Sequence, residues 1–106
     1  MTRTIRQDAK TAACNTLRDA LTAATRERGN RQHTVNTPAG PEMAWAVHER
    51  QVMWEAVNRI RADHSLPPVD AVVVEQIDSS AAGHADWFGK VVLRCAAVAV
   101  GEDWRR

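Results

Sequence analysis

Seven polar residues crowd one stretch of this chain: Glu75, Asp78, Ser79, Ser80, His84, Asp86 and Lys90. A histidine beside carboxylates is what general acid–base chemistry needs, with His84 moving a proton and Glu75 or Asp86 orienting it. The same residues also read as scaffolding. Ser79 or Ser80 would cap a helix, His84 and Asp86 would lie in its first turns, and Lys90 would pair with Asp86 four residues earlier. The scaffolding reading is preferred. Elsewhere, His48-Glu49 begins like a zinc-protease helix, but Val52 stands where the second histidine is required. His33, His48, His64 and His84 show no metal-ligand spacing. Cys14 and Cys95 fall on apolar helical faces, where burial raises a thiol pKa and opposes the reactive thiolate. The five glycines are too scattered to build a phosphate loop. No catalytic residue, metal or cofactor is expected.

A second chemistry would be phosphate binding. Arg3, Arg6, Lys10 and Arg18 fall on the first predicted helix, with Arg26, Arg28 and Arg31 at its end. Such a basic end can hold a nucleic-acid backbone with steep salt dependence. Asp8, Asp19 and Glu27 dilute the patch, the net charge is only +1, and no recognition helix follows a tight turn. A small DNA-binding regulator is therefore the alternative, ranked below a solvated helical face.

The elements that must position these residues read as an all-α fold. It is a small bundle of three long helices plus one short helix, forming a single domain over residues 1–106. With 44% hydrophobic residues among 106, one core is within reach. Alanine and valine dominate it, so the four tryptophans are expected to supply much of the buried area.

The first helix is predicted over 4–28, with Thr4 and Gln7 as a capping box and Ala9, Ala13, Leu17, Ala20, Leu21 and Ala24 as its apolar stripe. Residues 29–41 show no periodicity and read as a mobile loop. The middle helix is predicted over 41–64, starting at Pro41 and ending before Pro67-Pro68. Met43, Ala46, Val47, Met53, Trp54, Val57 and Ile60 make one broad face of it. Trp45, Val52 and Ala56 fall on the other side, and that second stripe predicts either a helix packed on both sides or a protein interface, a homodimer contact included.

Residues 69–79 are open between helix and strand. Asp70 as N-cap and the absence of a partner strand favour a short helix. The last helix is predicted over 80–100, closed by Gly101, with Trp104 folding back onto a neighbour. No apolar run reaches membrane length and no secretory leader is seen, so a cytoplasmic location is expected.

Glu75, then Ala82-Gly83-His84-Ala85-Asp86-Trp87, Lys90, Leu93, Cys95-Ala96 and Gly101-Glu102 form a pattern of about 30 residues. The pattern resembles short uncharacterised proteins of bacteriophages and prophages. Trp87 stands where tyrosine is more usual in them. The resemblance implies a small helical accessory protein without assigned catalytic residues, working in the host cytoplasm. Its motif positions His84, Asp86 and Lys90 would fix an inter-helix junction or take part in recognition. Together with the absent active site and the spare stripe, it points to stoichiometric binding of a bacterial host protein, such as a defence or transcription component.

Overall fold

The computed structural model describes residues 5–105, with side chains from residue 7 onward. Thr4 of the expected capping box, Arg3, and the side chain of Arg6 lie outside the described residues. Among the described residues, the fold comprises four helices and one hairpin: α1 (Ile5–Arg26), a 3₁₀ turn at Arg28–Arg31, β1 (Thr34–Thr37), β2 (Gly40–Met43), α2 (Ala44–Asp63), α3 (Ala71–Ala81) and α4 (Trp87–Ala99). The all-α expectation thus holds for the bulk of the chain, with two corrections. Two helices are long, at 22 and 20 residues, and two are shorter, at 11 and 13. The segment 29–41, expected as a loop without secondary structure, instead runs from the 3₁₀ turn into an antiparallel hairpin, with Thr34 opposite Met43 and Thr37 opposite Gly40.

The hairpin escaped sequence reading because its turn lacks the usual Asn-Gly signal. Pro38 leads the turn, which rules out the primed types that need a positive φ there. Gly40 instead takes the positive φ, +112°, at the start of the return strand. Pro41 inside β2 is tolerated because each strand of a two-stranded ribbon has a free edge. The N–H of Ala44 donates to the carbonyl of His33 at 2.8 Å, closing the hairpin base where α2 begins. The middle helix therefore starts three residues later than its proline suggested.

Both later helix ends follow from backbone capping. After α2, Leu66 N donates to Arg61 O at 2.8 Å and Ser65 N to Ala62 O at 3.1 Å, with Ser65 at φ +58°. After α4, Glu102 N reaches Ala97 O and Gly101 N reaches Val98 O, with Gly101 at φ +83°. Each is a Schellman closure. Asp70 caps α3 by accepting from Val72 N, so the open segment is a helix. Asp86, and not Ser79 or Ser80, caps α4 by accepting from Gly89 N. Ser79 and Ser80 lie in the last turns of α3, and the last helix starts seven residues later than expected because Gly83, at φ +82°, turns the chain. A side chain at residue 89 would place its Cβ 2.6 Å from the Asp86 carboxylate, which explains the glycine inside the first turn.

The core is built around α4, which is buried almost all round from Val91 to Val100. Leu17 and Leu21 from α1, Met53 and Val57 from α2, and Val74 and Ile77 from α3 pack against it. The α1 stripe is as expected. All four tryptophans are half-buried, and Trp54, Trp87 and Trp104 pack against the core from its rim. Trp104 does fold back against the core, with the Arg105 guanidinium 4.5 Å over its ring. Among the described residues, no helix is long and apolar enough to cross a membrane.

Candidate functional site

The unusual residue of α2 is Glu49, a carboxylate only 3% exposed. At about 100° per residue, it falls between Trp45 and Ala56 on one side and Met53 on the other. Its charge makes one continuous inward face look like two separate stripes. Ala56, 5% exposed, belongs to the core. Trp45 is half-buried against Arg28, and Val52 is half-buried as well. The expected interface formed by Trp45, Val52 and Ala56 is thus largely covered within a single chain. The apolar residues that stand out at the surface are Val72 and Leu93, on α3 and α4.

A buried carboxylate requires a partner. Arg28, in the 3₁₀ turn after α1, donates from Nε to Glu49 Oε2 at 2.7 Å and from Nη2 to Oε1 at 2.9 Å. This fork-to-carboxylate geometry is strong and directional, and the bond to Glu49 raises the Arg28 pKa. The guanidinium also lies 4.3 Å from the centre of the Trp45 ring and 5.8 Å from that of Trp87. Trp87 is fixed in turn, its Nε1 donating to Asp78 Oδ1 at 2.6 Å. Arg50 completes the network, with Nη1 3.7 Å from Asp78 Oδ2 and Nη2 2.8 Å from Glu42 Oε1.

Inside this frame is a cavity of about 290 Å³. Leu21, Ala46, Met53, Val74 and Val91 form its apolar wall, with Trp45 and Trp87 beside them. Arg28, Glu49, Arg50 and Asp78 also line it, and each is bound to another residue of the network. An apolar pocket with a few fixed polar groups is the usual form of a recognition site. Nucleophilic or acid–base chemistry would need an unengaged group aimed into it.

Glu42 ties the hairpin to this frame. The Thr37 hydroxyl, 2.9 Å away, is the main reason its carboxyl titrates below the ordinary value of 4.5; burial opposes this and Arg50 adds to it. A depressed folded-state pKa stabilises above the ordinary value, and that contribution disappears as pH falls through the lower one. Protection factors of the β1 and β2 amides, taken relative to the intrinsic exchange rate at each pH, are therefore expected to fall below about pH 4.5, while those of α4 hold. Glu42→Gln should remove the pH dependence, and a flat profile in the wild-type protein would contradict the link.

The sequence-predicted cluster is not assembled. Glu75 is exposed beside a cleft of about 530 Å³ shared with the hairpin, whereas Lys90 borders one of about 690 Å³ near the C-terminal tail. His84 and Asp86 are exposed on the turn before α4. Asp86 turns back to cap the helix, and the Asp86–Lys90 ion pair is not formed. His48 lies 2.6 Å from Glu27, and no group of three His, Cys, Asp or Glu side chains could hold a metal among the described residues. Cys95 is buried, which, with Asp78 adding, pushes its thiol up to about 12; Cys14 is half-buried.

Of the arginines considered for nucleic acid, Arg28 is held by Glu49 and Arg31 lies 3.6 Å from Glu27. Arg18 and Arg26 remain exposed, a thin basis for a phosphate track. Arg28, Glu49, Arg50 and Trp87 are thus the central residues. The available sequence signal was Glu49 standing four residues before Met53 on the inward face. Compared with protein-family models, curated proteins and solved structures, the chain finds no match, so its functional reading rests on this cavity.

Proposed function

We propose that this is a non-catalytic binding protein, acting stoichiometrically on a bacterial host protein in the manner of a phage accessory protein, in the host cytoplasm. The observation that carries the reading is the cavity beside Trp45 and Trp87, whose charged lining residues are engaged with partners in the same chain. A recess with these properties is suited to holding an apolar group and ill suited to moving protons or electrons. The choice of a bacterial host protein as partner rests on the resemblance that the pattern over residues 75–102 suggests. A homodimer is less favoured, since the stripe proposed for it is mostly enclosed.

Affinity capture from host lysates, quantified against an unrelated helical domain of similar charge, tests the reading. The expected result is one specific protein retained at near-equal molar ratio through moderate salt. Recovery of no specific protein from several hosts would contradict it. Retention on duplex DNA that weakens steeply with salt would favour the regulator instead.

A further inference from the structure

We infer that the cavity receives one uncharged aromatic side chain presented by the partner polypeptide, an assignment that rests on the binding reading above. Size is the first argument. An apolar cavity of roughly 150 Å³ can hold benzene. At about 290 Å³ this one has room for a phenyl or indole group. Pockets for whole small-molecule ligands start at roughly this volume and extend several-fold higher. A single inserted side chain fits the space better than a complete ligand does.

Charge is the second argument. Two arginines and two carboxylates line the cavity, and they are bound to one another, to Glu42 or to Trp87. A charged occupant would find no free counter-ion and would lose its hydration. The third argument is the lining itself. Trp45 and Trp87 supply aromatic rings to it, and Met53 supplies a polarizable thioether, and such a lining gains more from an aromatic group than from an aliphatic one. The Trp87 indole is already fixed by its bond to Asp78, so part of this wall needs no ordering when the occupant enters.

The test titrates the full chain with N-acetyl-tryptophanamide, N-acetyl-phenylalaninamide, N-acetyl-leucinamide and free indole, followed by amide chemical shifts. The aromatic amides should bind up to about tenfold more tightly than the leucine amide. Ala46→Phe, which fills the cavity, and Trp45→Ala, which removes a wall, should each abolish this binding with helical content retained. Leu93→Ala should leave it unchanged. Equal affinity for the leucine amide, or binding preserved in both cavity variants, would overturn the assignment. Free indole binding more tightly than its amide derivative would also overturn it, pointing to a small-molecule site. A lysate partner held equally by wild type and Ala46→Phe would remove the cavity's role yet leave the binding function intact. No partner held by the wild type would remove both.

Discussion

Arg28→Ala is expected to destabilise the fold by about 2–4 kcal/mol, because it strands a buried carboxylate. Glu49 is enclosed by α2 and its neighbours, and Arg28 supplies both hydrogen bonds to it in a forked geometry. The lower part of the range for buried pairs is appropriate. The Arg28 side chain is 38% exposed, so water can partly replace it. Arg28→Lys should fall between wild type and alanine, since an ammonium cannot reproduce the two-pronged contact. Replacing both members by methionine should recover most of the loss, because a well-packed apolar pair avoids the desolvation cost of the charges. Urea denaturation followed by circular dichroism measures all four proteins. A change within about 0.5 kcal/mol for Arg28→Ala would show that the pair contributes no more than a surface ion pair does.

Leu17→Ala is expected to cost about 3–5 kcal/mol, towards the upper end for large-to-small changes in a core. Leu17 is completely buried in a core made mainly of alanine and valine, where few other side chains are large enough to reach across. Small neighbours on well-formed helices cannot collapse into the space, so a cavity should persist. For a domain of this size the melting temperature should fall by about 4–6 °C per kcal/mol, measured by calorimetry. Leu93, 54% exposed on α4, serves as the contrasting position. Leu93→Ala should change stability by no more than about 0.5 kcal/mol. Comparable losses at both positions would mean that Leu93 is covered in solution, which would reopen the question of a self-associating surface.

How far the sequence carried this account depends on which physical rule dominated at each place. The α1 stripe was legible because Ala13, Leu17, Leu21 and Ala24 follow helical spacing and nothing competes with it. Asp70 announced α3 because a carboxylate side chain satisfies the first free N–H groups of a helix. The hairpin was not legible. Its strands are four residues each and its turn uses proline and a late glycine rather than a primed-turn pair. The start of α4 was misplaced because Ala82 and Ala85 have high helix propensity, whereas Gly83 and the Asp86 cap decide the boundary through backbone geometry.

The site was hidden for a related reason. Apart from the adjacent residues 49 and 50, the positions 28, 42, 78 and 87 join this site only through tertiary packing, and no local spacing announces them. Glu49 misled most, since a charge on the inward face breaks the apolar periodicity that identifies such a face. The apparent second stripe of α2 was the edge of a single buried one. Conversely, of the polar residues between 75 and 90, Asp78 joins the site through Trp87 and Arg50, while the others are spread over the surface, with Glu75 and Lys90 beside different clefts.

Isotope-edited nuclear Overhauser spectroscopy on the protein saturated with N-acetyl-tryptophanamide examines the cavity most directly. Cross-peaks from the probe's indole protons to the Met53 methyl group and to the methyl groups of Val74 and Val91 are the expected result. Cross-peaks to Val72 or Leu93 in their place, or none from a probe that demonstrably binds, would show that the recess framed by Arg28 and Glu49 is not where recognition occurs.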